Sequence, residues 1–309
     1  MENDKVLSPE LGTPDEKKLL RAEKRKVSFI NILWKEIWAD KLAFVALVIF
    51  VGIVLTAFIW SMFIDTDEAV RVNLRTQNQA PSAEFTLGTD NMGRDVIDML
   101  VLGSRNSLSI AFIVTGMVAI VGVLVGVFTG FYGGRADNLI MRAVDTLSML
   151  PFLMLVIAVI TAFGWTMFLF IFLMSSLGWI GICRIIRTRA LQQGRLDYVS
   201  ASKTLGTPNV VIIFREVIPN LVAVLSTILT LTLANNIGLE IGLTFLGFGL
   251  PPGTPSLGTL LALASVPVVM EHRMWQWLPP ALIILTLALC VNFVSQAVNR
   301  AADARQRLV

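Results

Sequence analysis

A run of 38 residues, Thr146–Cys183, contains no charged side chain. As one helix it would be about 57 Å long, whereas the hydrocarbon core of a bilayer is about 30 Å thick. The run is therefore too long for a single membrane span. We predict two consecutive spans that fold back at Phe163–Trp165, and we expect the first of them to start before Asp145.

Four further apolar stretches reach the length of about 20 residues that a spanning helix needs. They are Leu42–Ile64, Leu108–Tyr132, Val217–Leu239 and Trp277–Val298. The composition agrees, because 55% of the residues are hydrophobic and 15% are charged, whereas a soluble domain carries about 25% charged residues. The predicted fold class is an all-α integral membrane protein with six transmembrane helices.

Two shorter segments are predicted to lie at a membrane surface. Gly258–Met270 is apolar but only 13 residues long, so we expect an interfacial or re-entrant segment. Ser28–Lys41 has apolar residues at helical spacing, including Trp34 and Trp38. It is either an amphipathic helix in the membrane interface or a helix that packs on the chain's own bundle. The polar residues before it, Met1–Lys26, predict a solvated tail.

A row of glycines runs along the second predicted span. Gly122, Gly126, Gly130 and Gly134 recur every fourth residue and allow another helix to approach closely. That helix belongs either to the same chain or to a partner subunit.

Basic residues are distributed unequally between the two sides of the predicted bundle. With both termini inside, the cytosolic segments hold 20 of the 25 Lys and Arg residues, and the outer loops hold five. The excess of positive charge on the cytosolic side favours this orientation.

The loop between the fourth and fifth spans has the pattern of a helix-turn-helix elbow. A helix over Asp197–Leu205 is followed by Gly206, which suits the left-handed position after a helix end. Thr207 is suited to capping a second helix and Pro208 to its first turn. Pro219 predicts a break or kink where the fifth span begins.

This elbow resembles the "EAA" loop of transmembrane subunits of ATP-binding-cassette importers. Ser200-Ala201-Ser202 stands where many members have Glu-Ala-Ala, Gly206 matches the glycine, and Ile218-Pro219-Asn220 matches the end of the loop. Three further stretches resemble the second permease subunit of the oligopeptide, dipeptide and nickel branch. They are Leu87–Val96, Phe131–Asp145 and Gly242–Gly258.

The resemblance implies a type I importer fold with a cytosolic coupling loop. It divides the chain into a tail with an interfacial helix (1–41), a first span (42–64), an extracellular segment (65–104), a permease core (105–298) and a cytosolic C-terminus (299–309). The coupling loop is 184–218. The resemblance also implies a set of residues that contact an ATPase subunit. They are Asp197, Tyr198, Ala201, Ser202, Lys203, Gly206, Pro208 and Pro219.

The chain contains no phosphate-binding loop, because none of its glycines is followed by lysine. We therefore expect no cofactor and no catalytic residue in it, and ATP and magnesium are expected in partner subunits. The two cysteines and one histidine do not predict a metal site. The resemblance implies a second permease subunit, two cytosolic ATPase subunits and an extracellular solute-binding protein, in the plasma membrane of a prokaryote. Nucleic acid is not an expected partner.

Polar residues in or near the spans are further candidates. Asn235, Asn236 and Glu240 are candidates for the substrate pathway, because intramembrane polar groups are expensive. Glu240 suits either a peptide ammonium group or hydrogen bonds from the Gly242–Gly249 turns.

Charged residues near the span ends are also candidates. Arg142 and Asp145 are spaced to pair on one helix face, for a structural or gating role. Asp90, Arg94 and Asp95 are expected to brace the outer surface or to touch the binding protein.

Two alternative functions stay open from the sequence. The same architecture can import nickel, glutathione or another small solute. A self-contained channel or secondary carrier is the other alternative, but a carrier would show broken helices with mid-membrane ionisable groups and inverted repeats.

Overall fold

The computed structural model describes residues 29–251 and 253–308, so the predicted tail Met1–Lys26 lies outside the described residues. The described part is helical, without a β-strand. Its principal helices, in chain order, are α1 (Phe29–Ala39), α2 (Lys41–Trp60), α3 (Val96–Tyr132), α4 (Gly134–Ser148), α5 (Phe152–Phe163), α6 (Met167–Gln193), α7 (Asp197–Thr204), α8 (Asn209–Ile212), α9 (Ile218–Phe245), α10 (Leu257–Ala264), α11 (Pro267–His272) and α12 (Met274–Leu308). Two short helical turns, Thr66–Ala69 and Leu74–Thr76, lie between α2 and α3.

Five helical segments are long and apolar enough to cross a membrane: α2, α3, α6, the continuous helix Asn209–Phe245, and α12. The pair α4 and α5 is bent by 73° and makes a sixth if it counts as one span. The all-α membrane fold predicted from the sequence is therefore confirmed.

The fold-back in the uncharged run lies where the sequence predicts it. Helix α5 ends at Phe163, Gly164 has a φ of +84°, and α6 begins at Met167. A positive φ costs glycine little, because glycine has no Cβ.

The third span is not the continuous helix that the sequence predicts. It does start before Asp145, in α4, but the helix stops at Ser148 and α5 starts after Pro151. Proline has no N–H to continue the helical ladder, which explains the stop. Helix α5 alone has 12 residues, about 18 Å, and is too short to cross a bilayer.

The glycine row packs inside the chain's own bundle. A Cβ on Gly122, Gly126 or Gly130 would lie 2.8 Å or less from an atom of α6, as close as 2.3 Å for Gly130 and the carbonyl oxygen of Arg187. Gly134 does not belong to the row, because α3 has already ended and Gly134 starts α4 with nothing near its Cβ position.

Helix α1 packs on the C-terminal part of α12. Phe29 and Ile32 are buried in one cluster with Ala301 and Ala302, and Trp34 and Trp38 are exposed. Packing on the chain's own bundle is therefore observed, while the interfacial position of the tryptophans stays a prediction.

The segment Gly258–Met270 forms two short helices, α10 and α11. The side chain of Ser256 caps α10 in a capping box with Thr259, and the backbone N–H of Leu257 donates to Ser107 Oγ of α3 at 3.2 Å. Neither helix is long enough to span, as the sequence predicts.

Candidate functional site: the elbow and the neighbouring cavity

The elbow, Asp197–Val217, begins with α7 and a left-handed turn. Gly206 has a φ of +79°. The N–H of Gly206 donates to the carbonyl oxygen of Lys203 at 3.0 Å, and the N–H of Thr207 donates to that of Ser202 at 3.1 Å. These two bonds satisfy carbonyl groups at the helix end in the Schellman pattern. The conformation predicted for Gly206 is thus confirmed.

The second arm of the elbow differs from the prediction at two prolines. Pro208, not Thr207, is the N-cap of α8, and no side chain caps it. Pro219 does not end the helix, because a π-helical turn, Ile213–Val217, joins α8 to α9 just before it. The ring of Pro219 would collide with the carbonyl of Arg215 in a regular α-helix. A widened turn at that point makes room for it.

The elbow combines a buried base with an exposed apolar tip. Val199, Ile212, Ile213 and Val217 are fully buried, which fixes both arms to the bundle. Leu205 is 85% exposed at the turn, and Val210, Val211 and Phe214 are also exposed. An exposed group of large apolar side chains on a rigid base is typical of a surface that binds another protein.

The predicted ATPase-contact residues divide into exposed and inward-facing ones. Those that the structure exposes are Asp197, Ala201, Lys203, Gly206, Pro208 and Pro219. The Lys203 ammonium lies 4.7 Å from the centre of the Phe131 ring, a favourable cation–π distance. Tyr198 and Ser202 are half-buried and make hydrogen bonds inside the elbow.

Those inward-facing bonds are a feature that the sequence did not predict. Ser202 Oγ donates to Glu216 Oε1 at 2.7 Å, and Tyr198 Oη donates to Gln193 Oε1 at 2.7 Å. Burial raises the pKa of the Tyr198 phenol, which keeps the phenol protonated and able to donate. Only the spatial proximity of residues 14 positions apart reveals the Ser202–Glu216 contact.

A cavity of about 400 Å³ lies between α5, α6 and α9. Its polar lining comes from Thr232, Asn235 and Asn236 of α9, and its opposite wall includes Gly178 and Gly181 of α6. Asn235 is exposed, and Asn236 is buried and donates from Nδ2 to Thr115 Oγ1 at 2.9 Å. Both asparagines therefore line this cavity, and their place in a substrate pathway stays a prediction.

Glu240 lies apart from this cavity. Its side chain is fully buried, and its Oε1 accepts from Thr244 Oγ1 at 3.1 Å. Its Oε2 is buried and has no hydrogen-bond partner among the described residues. Of the two roles considered for Glu240, hydrogen bonding within the 242–249 region is the one seen here.

The predicted pairing of Arg142 with Asp145 is wrong. Asp145 bonds to Arg184 of α6 at 2.8 Å, and Arg184 also bonds to Ser148 Oγ. Arg184 reaches Asp145 because α6 packs beside α4. A second ion pair, Asp137–Arg187, joins the same two helices. The charged residues here fasten α4 to α6.

At the opposite end of the bundle, Asp90, Arg94 and Asp95 brace the segment before α3. Asp90 and Arg94 form a buried ion pair at 2.6 Å, and Asp95 Oδ1 accepts from the N–H of Ile97 at the start of α3. Gln276 fixes this segment to α12 by donating to the carbonyl oxygen of Thr89 at 2.8 Å. The bracing role expected of these charges is observed.

Comparison with known proteins gives one family and several full-length relatives. The family described as "Binding-protein-dependent transport system inner membrane component" matches residues 122–307. The chain is 42% identical over 291 residues to the oligopeptide transport system permease protein OppC of Lactococcus lactis, covering 93% of this chain and 98% of the relative.

Two other relatives are similar over nearly the same length. The dipeptide transport system permease protein DppC of Bacillus subtilis is 31% identical, over 95% of this chain and 94% of its own. The oligopeptide transport system permease protein AmiD of Streptococcus pneumoniae is 35% identical, over 90% of both chains. The family match includes the elbow, the cavity and α12.

Proposed function

Because the chain belongs to the family of binding-protein-dependent transport system inner membrane components, we propose that it is the peptide-conducting permease subunit of an ATP-driven importer. It pairs with a second permease subunit to form the pathway. An extracellular solute-binding protein delivers the peptide, and two cytosolic ATPase subunits supply the energy. The chain itself catalyses no reaction. Its membrane is the plasma membrane of a prokaryote, with both termini in the cytosol.

The structure of the elbow, with an exposed tip and a buried base, is the main support for this proposal. An ATPase subunit that binds its exposed tip at Leu205 has a rigid connection to the spans, because the elbow's base is buried. Closure of the ATPase dimer on ATP then moves the elbow and changes the accessibility of the cavity beside α9, as alternating access requires. The other ATPase-contact residues proposed are those exposed around the same tip.

Peptides are the proposed solute because the relatives' names specify oligopeptides and dipeptides. The cavity suits varied peptides, since its wall is mostly apolar with few polar groups.

Uptake by the assembled complex in proteoliposomes tests the proposal. Labelled peptides of two to eight residues and nickel ions are offered separately, with and without ATP and the binding protein. We expect peptide uptake that requires both. Uptake that needs neither ATP nor a partner would identify a self-contained carrier, and uptake of nickel in place of peptides would overturn the assigned solute.

Gly206→Val provides the inactive variant for this experiment. A β-branched residue at a φ of +79° is strained by about 1–3 kcal/mol, so the turn changes shape, ATPase subunits dissociate on purification and uptake is lost. Gly206→Asn is the matched control, because asparagine tolerates a left-handed backbone. Normal uptake by Gly206→Val with its ATPases attached would show that the elbow does not couple ATP hydrolysis to peptide uptake.

A further inference from the structure

A side-chain hydrogen bond joins the two arms of the elbow directly, in addition to the chain that connects them through the turn at Gly206. The first arm is α7, and the second is α8 with the π-helical turn Ile213–Val217. The hydroxyl of Ser202 on the first arm donates to Glu216 Oε1 on the second at 2.7 Å. The exposed backbone of Gly206 lies between them in the chain.

The same polar cluster continues into both adjacent spans. Tyr198 Oη donates to Oε1 of Gln193, the last residue of α6. Asn220 of α9 donates from Nδ2 to the carbonyl oxygen of Glu216 at 2.9 Å and to Tyr198 Oη at 3.4 Å. Five residues therefore connect α6, the elbow and α9, and the main-chain carbonyl of Glu216 links Asn220 to the Ser202–Glu216 pair.

The position of Glu216 in this network has a cost in free energy. Its Oε2 is buried and has no hydrogen-bond partner among the described residues, and burying a polar oxygen without a partner is unfavourable. Glu216 also lies in a π-helical turn, a conformation that is rare and is frequently found at functional positions. A solvent-facing Glu216 would avoid the desolvation cost but would lose its bond to Ser202.

Ser202 is one of the two residues, with Ser200, at which the elbow departs from the Glu-Ala-Ala pattern. An alanine at this position has no hydroxyl and cannot reach Glu216 by a hydrogen bond. The contact therefore depends on the serine hydroxyl at this position.

We propose that Ser202 and Glu216 form a latch that makes the two arms of the elbow move as one unit with the fifth span. Both are positioning residues, and Ser202 acts here through Glu216 rather than by touching the ATPase. The inference rests on the proposed function. Without the latch, movement of the tip is absorbed by rotation of α7 about the turn at Gly206, because the hydrogen bond that remains between α7 and the fifth span, from Asn220 Nδ2 to Tyr198 Oη, is long at 3.4 Å. ATP would then be hydrolysed with less movement of α9.

The test measures the number of peptides imported per ATP hydrolysed, by the full complex in proteoliposomes. Ser202→Ala should lower this ratio on the order of tenfold, the effect of losing a hydrogen bond to a charged group, while ATPase subunits still co-purify. Ser202→Thr keeps the hydroxyl and should restore the ratio. Glu216→Gln keeps an acceptor oxygen but removes the charge, so it should lower the ratio by less than Ser202→Ala does.

Ser226→Ala is the matched control, because the Ser226 hydroxyl bonds only the carbonyl oxygen of Val222 within its own helix. It should leave the ratio unchanged. A wild-type ratio in Ser202→Ala would overturn the latch while leaving the importer assignment intact. Loss of ATPase subunits from Ser202→Ala would instead make Ser202 a contact residue and also overturn the latch. Absence of ATP-driven uptake by the wild-type complex would reject the proposed function itself.

Discussion

At the residue scale, a polar residue in a span can either contact a solute or form hydrogen bonds within the chain. The burial of Glu240 distinguishes between these two roles. Its carboxyl group is fully buried, is bonded to Thr244, and does not line the cavity that Asn235 and Asn236 line. The carboxyl group is therefore not accessible from that cavity in this conformation. The hydrogen bond to Thr244 instead connects consecutive turns of α9.

Replacing Glu240 with glutamine should therefore affect all peptides alike. Glutamine keeps the oxygen that accepts from Thr244, so the subunits assemble, and uptake of free and N-acetylated peptides changes by the same factor. Glu240→Ala removes the acceptor and should destabilise the complex by about 1–3 kcal/mol. The measurements are uptake of both peptide types and the melting temperature of the purified complex. A selective loss for peptides with a free amino terminus would restore the substrate role.

Single residues were predictable from the sequence where the backbone alone decides their state. Gly206 and Gly164 both have the positive φ that their position after a helix end requires. Side-chain partners were less predictable, because they depend on which helices become neighbours. Asp145 pairs with Arg184 across 39 positions, and no local spacing rule indicates that contact.

At the element scale, the helix α3 depends on glycines for its approach to α6. Three of the four glycines in the row face α6, and the fourth falls beyond the helix end. The period of four was readable from the sequence. The identity of the partner helix was not, since a helix of another subunit would use the same small residues.

Gly130→Ala should destabilise the bundle, because its methyl group would lie 2.3 Å from the carbonyl oxygen of Arg187. Overpacking of this kind costs about 1–3 kcal/mol. Gly116→Ala is the matched control in the same helix, since nothing lies within 4 Å of its Cβ position. The melting temperature of the purified complex should fall for the first variant and not for the second. Equal melting temperatures would mean that α3 and α6 are not closely packed.

Proline effects on helices were only partly predictable. Pro151 precedes α5, and its effect on the third span was missed because the whole run is apolar and has no polar boundary. Pro219 was expected to break or kink a helix, but the π-helical turn before it lets the helix continue. Both outcomes depend on how the surrounding chain accommodates a missing N–H.

At the scale of the whole molecule, length and apolar character were enough to predict an all-α bundle with up to six spans. The orientation of that bundle stays a prediction from the distribution of charge, 20 basic residues against five, and it places the elbow in the cytosol.

The orientation can be tested with cysteines at two exposed positions, Gln77 and Gln192. Both native cysteines are buried, so they contribute little background. Gln77→Cys should react in intact cells with an impermeant thiol reagent, and Gln192→Cys should react only after the cells are opened. The reverse labelling would place the elbow outside.

Cross-linking from the tip of the elbow tests the central claim most directly, because Leu205 is 85% exposed there. A photoreactive amino acid at position 205 is activated in cells that express the full complex. We predict a covalent adduct with an ATPase subunit, and none from the same probe at Phe63, which is 83% exposed near the other end of the bundle. An adduct with an ATPase subunit from position 63 and none from position 205 would contradict the account.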